Sequence, residues 1–320
     1  MAATLSTLGA AAEPIGWFVL VAFVAAILLE YIDRDYARPV LVVAWLAFAA
    51  FWLVLIYPWF VEDESIVRGV GATIAAPLSL LIAKTVYEAE HDLFTISRAV
   101  AVMALVYAPF VAIPALHETL ILMVTDHTAW LMSTLGWDPT VVTTLSEVGV
   151  EREITGKDTD YENSFVFMYD GQAITYTIIL ACTGIGSMAV VTGLVAGVRA
   201  PMRRKIRALA IALPIIYFLN IVRNVFIGVS YGHQYADFFP ELTMALFGLN
   251  NSLRVSYIWA DRIIAQGLSV VAMVLIIWLV MREVPEVMEP IEQVLYLATG
   301  EEIDLQGALD IDADETQPAD

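Results

Sequence analysis

Apolar runs of about 20 residues recur along this chain, and that repetition leaves few folds open. A bilayer core about 30 Å thick needs about 20 apolar residues of helix to cross it. Hydropathy places seven such runs, at about 15–32, 39–60, 69–87, 99–124, 173–198, 207–230 and 257–281. The expected fold class is therefore an all-α polytopic membrane protein with about seven transmembrane helices. Hydrophobic residues make up 59% of the 320, and the mean hydropathy of +0.74 lies far above that of a soluble domain. Pro77, Pro109, Pro114 and Pro214 fall inside spans, where neighbouring helices can satisfy the freed carbonyls. No internal repeat and no matched pair of interrupted helices is visible, the pattern that would favour a transporter.

Orientation follows from the basic residues. The segment "RAPMRRKIR" (199–207) puts Arg199, Arg203, Arg204, Lys205 and Arg207 in one short loop, which reads as cytoplasmic. Alternating from there keeps Arg34, Arg38, Arg98 and Arg282 inside. It leaves Arg68, Arg152, Lys157 and Arg254 outside among many more acids. The N-terminus is then outside and the C-terminus cytoplasmic. "MAATLSTLGAAAEP" has no basic stretch before the first apolar run, so the first span reads as an anchor that stays. Four regions result: spans 1–4 over 1–125, an acidic extracellular loop over 126–172, spans 5–7 over 173–281, and an acidic cytoplasmic tail over 282–320. Within them, "HTAWLMSTLGW" reads as an amphipathic interfacial stretch. "VPEVMEPIEQVLYLATG" reads as a short surface helix and "DIDADETQPAD" as disordered. Asn250-Asn251-Ser252 is a glycosylation sequon in an outer loop.

The net charge is −19, from 35 acidic against 16 basic residues, and only Lys84, Lys157 and Lys205 are lysines. The tail from 282 on carries 12 Asp/Glu against one Arg, and the outer loop is acidic too. Such a balance argues against a nucleic-acid partner. It suits water containing molar salt, where self-repulsion is screened. The expectation is a halophilic host. One cysteine excludes an intramolecular disulfide and any cysteine-rich metal site, and His91, His117, His127 and His233 show no ligand spacing. No cofactor or metal is expected.

Ionisable groups in hydrocarbon cost about 2.5–3.5 kcal/mol on insertion scales, so each needs a reason. Lys84, Glu30 and Glu118 lie close to span ends and read as structural. Arg223, in "YFLNIVRNVFIGVS", sits deeper, with Asn220 and Asn224 at i−3 and i+1. Arg262, in "IWADRIIAQGLSVV", has Gln266 at i+4 and Asp261 beside it. Cys182, in "IILACTGIGSMAVV", falls in the fifth span. Counted from the outer face at 1.5 Å per residue, Cys182 lies roughly 14 Å down and the two arginines roughly 9 Å. A thiol in an apolar setting stays protonated unless a fixed positive charge favours the thiolate. Arginine supplies that charge permanently and can also hold an oxyanion. Gly184 and Gly186 would let a backbone or a substrate segment approach. The residues alone leave open an outward-snorkelling Arg223 with asparagine glue, and a local Asp261–Arg262 anchor pair.

"ACTGIGSM" around Cys182, "NIVRNVFIG" around Arg223 and "ADRIIAQ" around Arg262 resemble, in this order on consecutive spans, the three motifs of the exosortase/archaeosortase family. The resemblance is most specific over about 170–280. It implies a membrane-embedded cysteine transpeptidase whose clients are secreted proteins with a C-terminal sorting signal: a Pro-Gly-Phe motif, an apolar helix and a basic tail (PGF-CTERM). The enzyme would remove that helix and couple the new C-terminus to an archaeal ether lipid, with S-layer glycoprotein as the main client. The resemblance makes Cys182 the nucleophile and Arg223 and Arg262 its catalytic partners, in a cell-membrane protein with its site near the extracellular face. Asn220, Asn224 and Gln266 are expected as substrate-binding residues. Bacterial members carry histidine at the third position, and arginine is no ordinary general base, which leaves the proton route open. His233 is one candidate for it. Bacterial members also tend to be basic where Gly186 stands, so no role passes to Gly186. The rival readings are a transporter using Arg223 and Arg262 for an anionic solute, a serine protease built on Ser187, and a non-catalytic scaffold.

Overall fold

A computed structural model describes residues 11–89, 92–156, 158–301 and 303–309. The first ten residues, His91, Lys157 and the acidic terminus 310–320 lie outside the described residues, so the readings made on them stay as expectations. The chain divides into two compact units, one of residues 1–106, 189–212 and 274–320, the other of residues 107–188 and 213–273.

The first unit contains helices α1 (Ala12–Glu30), α2 (Arg34–Tyr57), α3 (Ile66–Glu88) and most of α4 (Phe94–Ala112). Their starts are legible: the Asp33 carboxylate accepts the Asp35 N–H at 2.8 Å, and the Ser65 hydroxyl accepts that of Arg68. The core is aromatic, with Phe23 set edge-on to Trp45 and Phe48. Buried Trp45 donates from Nε1 to Ser97 Oγ at 3.0 Å, which satisfies its polar tip. Helix α6 (Ile185–Gly197) brings Gly193 and Gly197 onto α4. A Cβ at Gly193 would stand 2.4 Å from the Ala99 carbonyl oxygen, so the small-xxx-small spacing is what lets the two backbones meet. The basic loop meets the tail here: Arg204 pairs with Glu286 and Arg207 with Glu283. The tail's expected short helix is present as Met288–Thr299.

Among the described residues, six helices are long and apolar enough to cross a membrane: Ala12–Glu30, Arg34–Glu62, Ile66–Glu88, Phe94–Ala112, Met202–Gly232 and Arg254–Glu283. The protein is a predominantly helical, multi-pass membrane protein. Two of the seven expected spans differ in detail. The fourth, 99–124, is broken at Ile113, whose backbone is extended (φ −110°, ψ 105°), and helix α5 begins at Pro114. Proline supplies no N–H and pushes the preceding residue out of helix, so Pro114 ends α4 and starts α5. The stretch "HTAWLMST" is the last part of α5, Pro114–Thr134.

The fifth, 173–198, opens as a β-strand. Its helical part, α6, has 13 residues, about 20 Å at 1.5 Å per residue and short of a bilayer core. The second unit holds a three-stranded antiparallel sheet, β1 (Thr140–Val142), β2 (Ser164–Tyr169) and β3 (Gln172–Thr177) in that order; the first two strands lie in what reads from the sequence as a loop and the third opens the expected fifth span. β2 and β3 form a hairpin with Ser164 opposite Thr177 and Tyr169 opposite Gln172. Its two-residue turn is Asp170-Gly171, both at positive φ, the backbone a tight hairpin demands. Phe165, Phe167, Ile174 and Tyr176 from the sheet share one core with Ile221, Val225, Ile227 and Val229 of helix α7 (Met202–Gly232).

Candidate active site

The site grows out of the end of β3. After Thr177 the chain makes a single 3-10 turn, Leu180–Cys182, and α6 starts at Ile185. Cys182 therefore sits in a turn ahead of the helix, half-buried, and not partway down a continuous span. The depth of roughly 14 Å that a straight helix would give does not apply. Thr183 shapes the turn: its hydroxyl donates to the Leu180 carbonyl at 2.7 Å and accepts the Ile185 N–H at 3.4 Å. Gly184 follows at φ +80°, and an added Cβ would meet the Asn220 side chain at 3.1 Å. Both facts require glycine there. At Gly186 an added Cβ would meet nothing within 4 Å.

Helix α7 supplies what grips the turn. Asn220 and Asn224, one helical turn apart, both donate from Nδ2 to the Cys182 carbonyl, at 2.7 and 2.9 Å. Both amides expected to bind substrate are thus engaged by the cysteine's own backbone. The Tyr176 hydroxyl donates to Asn224 Oδ1 at 3.0 Å and fixes the amide's orientation. Tyr176 is buried, which pushes its hydroxyl well above the usual phenol range, and the nearby Cys182 adds to that shift. It stays a neutral donor.

Arg223 lies between the two asparagines in sequence. Its guanidinium reaches across to Asp261 Oδ1 at 2.5 Å, while Arg262 reaches Asp261 Oδ2 at 3.2 Å. One buried carboxylate therefore joins both arginines expected at the site. The Arg262 guanidinium also stands over the Tyr257 ring, 5.3 Å from its centroid. The segment carrying these groups, Ile258–Ala265, is wound as π-helix between α9 (Leu253–Tyr257) and α10 (Gln266–Glu283); a short helix α8 (Pro240–Phe247) precedes it. Such turns inside a helix are uncommon and concentrate at functional sites.

Two guanidiniums against one carboxylate leave one surplus positive charge in this cluster. Arg262 Nε is a buried donor with no acceptor among the described residues. Gln266 is buried one turn past Arg262. His233 packs edge-on to Phe167 and stacks on Tyr235 in an aromatic cluster.

Asp261 as a bridge, Tyr176 and Tyr257 were not singled out by sequence reasoning. Asp261 was legible only as a neighbour of Arg262; its second partner lies 38 residues away on another helix. The aromatic and β-branched residues on both sides of Asp-Gly in "SFVFMYDGQAITYT" are the signal for the hairpin that delivers Tyr176 and Cys182.

Compared with known proteins, residues 10–251 match the model of the family described as transmembrane exosortase (Exosortase_EpsH). This chain belongs to the exosortase family. The match takes in Cys182 and Arg223 and ends before Arg262. Two curated relatives extend further. Archaeosortase A of Haloferax volcanii is 40% identical over 314 residues, covering 95% of this exosortase and 99% of the relative. Archaeosortase A of Natronomonas pharaonis is 36% identical over 311 residues, covering 96% and 95%. No solved structure matches this exosortase.

Proposed function

We propose that this chain is an archaeosortase, a membrane-embedded cysteine transpeptidase that removes PGF-CTERM-type signals from secreted surface proteins such as S-layer glycoprotein and attaches the new C-terminus to an ether lipid. The observation that carries the reading is the joint seating of Cys182: its turn hangs from Asn220 and Asn224, and Arg223 between them is linked through Asp261 to Arg262. The likeness along nearly the whole chain to two proteins named archaeosortase A supports the same conclusion.

The substrate's apolar helix lies in the bilayer beside α6, α7 and α10, and its polar motif reaches the outer face. The Cys182 sulfur, as thiolate beside the surplus positive charge, attacks the scissile carbonyl carbon. The carbonyl oxygen takes up the electron pair and is held by arginine N–H donors, with Arg262 Nε a donor to spare. The C–N bond breaks as the tetrahedral intermediate collapses, and the thiol proton ends on the leaving amine. A thioester at Cys182 remains. A lipid-borne nucleophile then attacks that carbonyl and the sulfur leaves. The asparagines act on the cysteine backbone and not on substrate.

Replacing Cys182 with alanine in the native host tests the proposal. Full-length, unlipidated PGF-CTERM precursor should accumulate while the variant reaches the membrane at normal levels. Unchanged processing would make the cysteine a packing residue and move an Arg223/Arg262 anion transporter ahead.

A further inference from the structure

The cysteine turn is held at its start as well as its end, by residues outside the three motifs. The first N–H of the turn, at Leu180, donates to Asp158 Oδ2 at 3.1 Å. The other oxygen of that carboxylate, Oδ1, receives His117 Nε2 at 3.0 Å. The second ring nitrogen, Nδ1, sits 2.9 Å from the Phe110 carbonyl oxygen. That carbonyl is free because of the sequence. In a continuous helix it would accept the N–H of residue 114, but residue 114 is proline and has none. Pro114 thus both breaks the fourth apolar run and leaves the acceptor that seats His117. A carbonyl and a carboxylate oxygen thus hold the His117 ring between them.

Asp158 is itself set with care. It is a non-glycine residue at φ +56°, a conformation aspartate tolerates better than most residues. Fully buried Asn163 locks it there: Nδ2 donates to the Asp158 main-chain oxygen at 2.7 Å and to the Ile178 carbonyl at 2.8 Å, while the Asn163 carbonyl accepts the Ile178 N–H at 2.9 Å. A strained residue retained by a surrounding network points to a functional constraint. The path runs from the backbone break at Pro114 through hydrogen bonds linking Phe110, His117, Asp158 and Leu180, and Leu180 opens the 3-10 turn that ends at Cys182.

We infer that Asp158, oriented by His117, is a positioning residue that fixes the Cys182 turn against its charged surroundings. This rests on the reading of Cys182 as the nucleophile.

The single cysteine gives a direct test, because iodoacetamide labelling of the full-length protein in lipid nanodiscs reports on Cys182 alone. Labelling rate, kcat and KM on a signal peptide, and thermal unfolding would be measured for Asp158→Ala, Asp158→Asn, His117→Ala and the parent. Asp158→Ala should lower kcat about 10–100-fold, the scale of a misplaced reacting group. It should leave KM within about twofold and slow labelling in parallel. Asp158→Asn, which keeps an acceptor for the Leu180 N–H, should recover most of both. Parent-like labelling and kcat in a folded Asp158→Ala would overturn the assignment. Should that variant fail to accumulate, His117→Ala decides: a reduced kcat and labelling rate supports positioning, and parent values overturn it. Labelling needs no turnover, so normal processing by Cys182→Ala would overturn the transpeptidase reading without touching this result.

Discussion

Asp261 carries more of the site than its single charge suggests. It holds Arg223 and Arg262 at once, and its side chain is only 7% exposed, so the two guanidiniums share one counter-charge in a medium that solvates them poorly. Removing it with Asp261→Ala would leave two buried cations facing each other. The expected cost is about 3–5 kcal/mol, the range for breaking a buried pair by deleting one partner. It would be measured as lowered resistance to thermal unfolding in lipid, with processing lost. Arg223→Ala should be milder, since Asp261 then keeps Arg262. Cys182, Arg223 and Arg262 stand out in the sequence because polar or reactive groups in apolar runs need a reason. Asp261 does not stand out, because an Asp-Arg dipeptide near a span end already has a local explanation. A contact across 38 residues is a property of packing.

Backbone conformation decides the turn that presents the cysteine. Gly184→Ala puts a methyl group at positive φ and 3.1 Å from Asn220, and Asn220 is one of the two donors to the Cys182 carbonyl. Gly186→Ala meets open space. The first should reduce processing about tenfold or more, the scale of a small misplacement of a reacting group. The second should leave it unchanged, and parallel precursor-processing assays would show the contrast. Equal effects would mean the turn is not what Gly184 serves. Six membrane helices were legible in hydropathy because length and apolarity suffice to mark them. The sheet was hidden, because the apolar strand Gln172–Thr177 runs straight into the apolar turn and α6 and reads with them as one run. The aromatic and β-branched residues flanking Asp170-Gly171 mark the hairpin all the same. The break at Pro114 was ambiguous, since prolines at 77, 109 and 214 stay inside helices.

Across the molecule the acids greatly outnumber the bases, and in the first unit two arginines of the basic loop pair with the tail, Arg204 with Glu286 and Arg207 with Glu283. The surplus is left to repel itself wherever salt is low. Screening length falls from about 10 Å at 0.1 M to about 3 Å at 1 M. The unfolding midpoint of the protein in lipid should therefore rise steeply over that salt range; a flat dependence would remove the halophilic reading of the charge.

The most direct test of the nucleophile is to look for its covalent intermediate. A PGF-CTERM signal peptide would be mixed briefly with the purified enzyme in nanodiscs, quenched in acid and analysed by intact and peptide mass spectrometry. The expected result is an adduct on the peptide containing Cys182, equal in mass to the N-terminal cleavage fragment less one water and released by hydroxylamine. It should be missing from Cys182→Ala and reduced in Asp261→Ala. Cleaved peptide with no such adduct, or cleavage by Cys182→Ala at the parent rate, would contradict it.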